Sequence, residues 1–212
     1  MPVKIRSGRC RMFVAWLFAL LFFQVFVLNG QAGELRRLAV VGVSNKTGEG
    51  EFSKLLIAQG IAQLVAQELY DTGGYVPVED NPEITGRINE LLALSAQSGS
   101  GNTADDQALD SGKILGCDAV ATVKIVKFSK SRSKGGIGPF SSAKVEIAVE
   151  VEVSLKDGEK PVVSALGRGT GVTQSQSFLF QVRKDKVAFD QTSAGQATLE
   201  AVKAAVVKLP RS

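Results

Sequence analysis

Histidine is missing from all 212 residues of the chain. Its absence removes the commonest general base and the commonest metal ligand, so a Ser-His-Asp or Cys-His nucleophile pair and an ordinary zinc or haem site are excluded. Cysteine is almost as scarce. Cys10 lies in a basic N-terminal segment and Cys117 stands far from it, so no disulfide framework is expected, and Cys117 reads as a small buried apolar residue at a strand start. Carboxylate pairs would be the remaining route to acid–base catalysis, but no acid pair stands where its pKa would be raised. No catalytic residue, cofactor or metal ligand is therefore assigned, and the chain is read as not an enzyme.

A phosphate-cradling loop is absent too, although LAVVGVSNKTGEGEF, Leu38 to Phe52, has the layout of strand, Gly-rich loop and helix. A P-loop needs two glycines with four residues between them and then Lys-Ser/Thr, so that backbone N–H groups wrap the phosphates while the lysine neutralises them. Here Gly42 and Gly48 have five residues between them and no such Lys-Ser/Thr follows. The dinucleotide pattern also breaks, because Ser53 replaces its third glycine. Glu49 and Glu51 would place two carboxylates where a phosphate must sit.

Positive charge is present in the whole chain but concentrated at its start. Lys4, Arg6, Arg9 and Arg11 precede an apolar run from Met12 to Leu28 broken only by Gln24, followed by Asn29-Gly30-Gln31-Ala32. This is a basic region, a hydrophobic stretch and a small-x-small site, and cleavage is expected between Ala32 and Gly33. The alternative is a retained anchor, although the run is short of the ~20 residues that cross a bilayer comfortably. Either way the chain is expected to be exported to the periplasm, with outer-membrane association open. Beyond residue 32 the 21 remaining basic residues match the 21 acidic ones, so the high calculated pI gives no reason to expect nucleic acid as a partner.

Residues 33–212 suffice for a single domain. Leu38–Val43 reads as a strand buried on both faces, and Ser44–Gly50 as turn chemistry. Ser53 is expected to cap a helix with Leu56, Ile57, Ile61, Leu64, Val65 and Leu69 at helical spacing, ended by Gly73-Gly74. Tyr75–Val78 reads as a short edge strand, since Pro77 cannot donate to a ladder. Asn81 and Pro82 open a second helix, and Thr103 begins a third over 104–115. A strand follows over Asp118–Phe128. Residues 129–142, with Lys130, Arg132, Lys134, three glycines and Pro139, read as a flexible basic loop. Lys144–Lys156 alternates strictly and should bury one face, Asp157-Gly158 marks a hairpin turn, and Pro161–Val172 should return beside it. A helix from about Ser193 to Leu209 closes the chain. The fold class is thus α/β (α+β), a mixed sheet with helices packed on it, with C-terminal hairpins and a helix.

Three segments, in this order, resemble the curli production assembly/transport family, CsgG and its relatives, which include holdfast-anchoring proteins. The first is a strand running into Asn45-Lys46-Thr47-Gly48. The second is Gly60-Ile61-Ala62 in a helix followed by Leu69, Gly73 and Tyr75. The third is GKILGCDAVATVKIVKF, in which Gly112, Leu115, Gly116, Asp118 and Phe128 agree. The resemblance implies a periplasmic α/β domain that oligomerises in an outer-membrane secretion channel, two β-hairpins per subunit joining a shared barrel. It also implies that the Gly-rich turn is a strand-to-helix elbow.

This chain departs from that pattern. No cysteine follows the cleavage site, so a lipid anchor is not expected. Val123 and Cys117 stand where the family usually has Gly and Ala. The hairpin over 135–155 has alternation but no aromatic girdle beyond Phe140, and the one over 170–192 is polar except for Phe178-Leu179-Phe180. The expected role is a non-catalytic envelope protein assisting outer-membrane secretion or assembly of surface fibres, as a homo-oligomer or with an envelope partner. The alternative is a periplasmic regulatory module similar to outer-membrane activators of peptidoglycan synthases. Lys130, Arg132, Lys134, Phe140, Phe178 and Phe180 are the candidates for partner or membrane-surface contact.

Overall fold

In the computed structural model, which describes residues 35–78, 81–97, 110–111, 115–137, 140–173 and 179–210, the run Leu38–Val43 forms the middle of β1 (Arg36–Asn45) and is buried throughout. β1 lies parallel to β2 (Tyr75–Pro77) on one side and to β3 (Ala119–Ile137) on the other. β4 (Phe140–Asp157) and β5 (Val163–Thr173) continue antiparallel, giving the order β2-β1-β3-β4-β5. Parallel neighbours need crossovers, which α1 (Leu55–Asp71) and α2 (Pro82–Gln97) supply. The fold is therefore the expected mixed sheet with helices packed on it. The expected signal segment with its expected cleavage site at Ala32 and Gly33, together with Gly112, Phe178 and most of the expected helix over 104–115, lie outside the described residues.

β2 covers β1 only as far as Leu38, the last bond being Val78 N–H to the Leu38 carbonyl at 2.9 Å. Farther along, β1 bulges between Val40 and Gly42, and the hydroxyl of Ser95 on α2 accepts the Val43 N–H at 2.9 Å. The same hydroxyl lies 3.0 Å from the Leu92 carbonyl, to which it donates. A side chain from α2 thus takes over where the short edge strand stops, so that the buried backbone group is not left without a partner. Asn81 starts α2 as expected, its side-chain oxygen accepting the Glu83 N–H at 2.9 Å.

α1 packs Ile57, Ile61, Val65 and Leu69 onto the sheet and ends at Gly73, whose φ of +82° only glycine adopts without strain. Ser53 does not cap it. Lys54 holds the N-cap position with no side-chain bond, because Ser53 sits in a 3-10 turn over Gly50–Ser53 and its hydroxyl accepts Asn45 Nδ2 at 3.1 Å.

On β4 the alternation is as expected, with Val145, Ile147, Val149, Val151, Val153 and Leu155 all buried. They face α1 and the C-terminal helix α3 (Ser193–Val206), which Thr192 caps by accepting the Gly195 N–H at 3.0 Å. α3 sits on β5 without side chains between them. Gly167, Gly169 and Gly171 alternate along β5, and a methyl at any of them would overlap the carbonyl oxygen of Ala201, Ala197 or Ser193 respectively. The helix answers with Ala194, Ala197, Ala201 and Ala205, all fully buried.

An edge-to-face row of rings, Phe128–Phe52–Phe180–Phe189, closes the open end of this core at centroid distances of 5.6, 5.2 and 6.0 Å. In the segment 170–192, the second region weighed as a hairpin, the described residues hold the end of β5 and a small ribbon, β6 (Gln181–Arg183) and β7 (Lys186–Ala188). That ribbon packs Val187 against Gly60 of α1.

The glycine strip makes a directional test. Gly169→Ala should force α3 off the sheet and cost about 3 kcal/mol, lowering Tm by roughly 6–12 °C. Gly86, on the exposed side of α2 with nothing within 4 Å of where a methyl would stand, should behave oppositely: Gly86→Ala should raise stability by about 0.5–1 kcal/mol. Urea unfolding of the two variants beside the parent checks both signs.

Candidate interaction surface: the β3–β4 arm

β3 and β4 are 19 and 18 residues long, far longer than their neighbours require. β1 accompanies β3 only to the pair Asn45↔Ile125, and β5 accompanies β4 only to Val145↔Thr173. Five further pairs, from Ser133↔Lys144 to Ile137↔Phe140, have no third strand beside them among the described residues. At the usual rise the two strands continue for about 17 Å past the end of β5 and for about 40 Å past the end of β1. Of the residues 129–142 expected as a flexible loop, 129–137 and 140–142 therefore form the outer part of two paired strands. Serine and lysine alternate where a core strand would alternate with valine, which is why hydrophobic pattern alone misses the strand.

Lys130 and Arg132 are exposed side chains of this arm. They stand opposite Ile147 and Val145, so their face is the continuation of the buried one. Lys134 pairs with Ala143 in the ladder, and Phe140 with Ile137 at its end. On the other face of the sheet charges are paired across strands. Lys124 lies 3.8 Å from Glu152, while Glu150 receives Lys127 at 3.8 Å and Arg168 at 3.2 Å. Such exposed pairs contribute little to stability. Phe180, a candidate for surface contact, is instead 5 % exposed and belongs to the core. Its burial follows from Phe52 and Phe189 lying on either side of it.

The remaining candidates have local structural work. Asn45 Nδ2 donates to the Glu49 carbonyl at 2.8 Å, while Asn45 Oδ1 accepts the Thr47 N–H at 3.0 Å and its hydroxyl at 2.7 Å. The Thr47 hydroxyl in turn accepts the Glu49 N–H at 3.2 Å, and Gly48 takes a φ of +75°. The elbow is thus folded around one buried amide, its backbone N–H groups bonded inward rather than aimed at a ligand. Lys46 is exposed, and its N–H extends the ladder to the Ile125 carbonyl at 2.9 Å. Gly116 has a φ of +63°, and Asp118 then ties the start of β1 to the end of β4: its carboxylate accepts the Arg37 N–H and its carbonyl the Gly158 N–H, both at 2.8 Å. Nearby, burial pushes the Cys117 thiol above its ordinary value, Arg37 opposing and Asp118 adding to the shift.

A cleft of about 370 Å³ between α1, α2 and β1 offers the carboxamides Gln59, Gln63 and Asn89 with Thr85, and among the described residues no acid or base lines it. Gln59 Nε2 there already donates to Asn89 Oδ1 at 3.0 Å. Among the described residues no three His, Cys, Asp or Glu side chains gather as metal ligands, and no helix is long and apolar enough to cross a membrane.

The family model for the curli production assembly/transport component CsgG matches residues 23–211 of the chain, and that family is a non-enzymatic secretion and assembly family. No curated protein sequence matches. Among solved structures the chain is similar to the lipoprotein GNA1162 from Neisseria meningitidis, at 18% identity over 68% of this chain and 87% of that one, with a TM-score of 0.38. It is also similar to the PelC dodecamer from Paraburkholderia phytofirmans, at 11% identity over 81% and 86% of the two chains, with a TM-score of 0.39.

Two outcomes test the structural reading of the motif residues. Asn45→Ala should cost about 1–2 kcal/mol by leaving several partly buried partners unmet, whereas Lys46→Ala should stay within about 0.5 kcal/mol of the parent, both read by urea unfolding. Cys117 should be alkylated by iodoacetamide far more slowly in the folded chain than in the unfolded one at pH 8, as followed on its peptide by mass spectrometry. Because its folded value is raised, the thiol's stabilising contribution is complete below the ordinary thiol range and is lost as pH rises through the folded value.

Proposed function

Since the chain belongs to the curli production assembly/transport component CsgG family, we propose that it is an exported, non-catalytic envelope protein assisting outer-membrane secretion or the assembly of surface fibres. The observation that carries this reading is the match itself, which spans nearly the whole chain rather than one motif. A basic, then apolar, then small-residue N-terminal segment supports export. The site chemistry supports a binding role: the former phosphate-loop candidate is an elbow closed on itself, and the cleft beside β1 carries amides rather than an acid–base pair.

The protein acts by association. The polar sheet face, with Val126, Leu166 and Val172 exposed among cross-strand ion pairs, is a surface of the kind that copies or partners share. The arm projects from that sheet and is the part of the subunit best placed to reach another component. It does not read as a pore hairpin by itself, because a lipid-facing strand needs ~9 to 11 residues with an apolar outer face.

Fractionation of cells expressing the full chain, followed by detergent extraction and size analysis, tests this. The expected result is an envelope-associated assembly larger than the 22.4 kDa chain. Recovery in the cytoplasm with the N-terminal segment intact would overturn the reading, and a soluble periplasmic monomer would replace it with a regulatory binding module.

A further inference from the structure

We infer that the cleft between α1, α2 and β1 is a docking site for an extended, uncharged segment of a partner polypeptide, which continues the edge of the sheet where β2 leaves it. The inference stands on the geometry of that edge and is independent of the envelope location proposed above.

Main-chain direction along β1 is the first support, because alternate residues of a strand turn their N–H and carbonyl to opposite neighbours. The Arg36 N–H reaches the Gly74 carbonyl at 3.1 Å and the Leu38 carbonyl takes the Val78 N–H at 2.9 Å, both on the β2 side. The Arg37 carbonyl between them takes the Asp118 N–H at 2.9 Å, on the β3 side. Val40 is therefore the next residue to face the β2 edge. β2 has no partner for it, since its last pair is Leu38↔Pro77. The bulge between Val40 and Gly42 then makes Val43 the following residue on that edge, and its N–H is the one Ser95 accepts. Val40 lies between these two covers. It is only 5 % exposed, yet among the described residues nothing accepts its N–H or donates to its carbonyl on this edge. Buried peptide groups are almost always paired, so an occupant of the cleft completes this one.

The chemistry of the cleft decides what that occupant is. Val40 presents a donor and an acceptor side by side. A carboxylate answers the first and opposes the second, an ammonium does the reverse, and an extended peptide answers both, as when a strand is added to a sheet edge. The walls are neutral in the same way. Gln59 Nε2 on α1 donates to Asn89 Oδ1 on α2 at 3.0 Å, and Gln63 adds another carboxamide one turn along α1. Each such group carries the donors and acceptor of a peptide. Between them Ala62 and Ala66 keep the α1 wall low, which favours small side chains on the occupant. At about 370 Å³ the cleft is within the range that holds a small ligand. The uncovered edge between Leu38 and Val43 matches about three extended residues.

Amide hydrogen exchange, read residue by residue by fragmentation mass spectrometry, tests this on protein purified from cells expressing the full chain. In the protein alone the Val40 amide is expected to exchange at least about 10-fold faster than the Val43 amide. The blocked peptide acetyl-Ser-Val-Ala-Val-Ser-amide, added to about millimolar concentration, should slow it saturably by roughly 10-fold. The same peptide N-methylated at every residue keeps its side chains but loses its donors, and should leave Val40 unchanged. Gln63→Leu with Asn89→Leu should raise the peptide concentration needed for half-protection by about 10-fold. A Val40 amide already as protected as Val43 in the protein alone would show the cleft filled by another part of this chain and would overturn the inference. Protection by the trimer of N-acetylglucosamine without protection by the peptide would overturn it in favour of a glycan. Indifference to every probe would leave Val40 to water and sink it. The comparison of the two peptides on the parent protein decides the matter even if the double variant fails to fold.

Discussion

The contact on which the rest of the structure depends is the seating of α3 on the glycine strip of β5. Bare backbone at Gly167, Gly169 and Gly171 lets the helix carbonyls of Ala201, Ala197 and Ser193 come as near as the sheet allows. A helix normally stands off a sheet by the thickness of two side-chain layers. Removing one layer draws α3 inward, so that Val202 and Val206 reach the same core as Val149, Val151 and Val153 of β4. From its N-terminus the constraint passes to the segment before it. Thr192 caps the helix and also donates to the Leu179 carbonyl at 2.6 Å, which fixes the chain where Phe180 turns into the core. Phe180 then meets Phe52, and Phe52 follows directly from the elbow built around Asn45. Strand, cap, ring and elbow are thereby coupled across more than a hundred residues of sequence.

β5 also shows how an edge is kept from pairing with stray strands. Glu200 and Lys208 reach over from α3 and its C-terminal turn, the carboxylate accepting the Thr170 N–H at 3.1 Å and the ammonium donating to the Leu166 carbonyl at 2.7 Å. At the opposite edge Ser95 does comparable work for β1. Both edges of the body are therefore covered in part by polar side chains of adjacent helices. Nearer its tip the arm carries Lys130 and Arg132 as exposed cations, and like charges of this kind discourage one strand edge from pairing with another.

Much of this was readable in the sequence, and the exceptions have a common cause. β1, α1, the start of α2, β4 and α3 were legible because each carries an apolar period that burial enforces, six residues in strict alternation on β4 being the clearest case. The arm was not, because its period of two is written in Lys130, Arg132 and Lys134 against Ser129, Ser131 and Ser133. Glycine, proline and charge together read as a loop, although the spacing of the cations already matched one face of a strand. Phe180 was ambiguous for another reason. Two rings at spacing two define a face, but whether that face is inward depends on Phe52 and Phe189, which periodicity cannot place beside it.

The glycine strip carries the same lesson further. Gly167, Gly169 and Gly171 weaken a strand by local propensity, and taken alone they argue against β5. Their spacing acquires meaning only with Ser193, Ala197 and Ala201, which are spaced by four on a helix some thirty residues away. Alternate glycines on a strand followed by small residues at every fourth position on a helix are complementary periods, two and nearly four, that bring two backbones together along one line. Because such a match needs both partners, either half can be lost by one larger side chain, and the cost falls on the core rather than on the arm. The buried residues of β4 from Val145 to Leu155 and the helix α3 thus share one core, and it is that shared core, rather than either element alone, that the glycine strip makes possible.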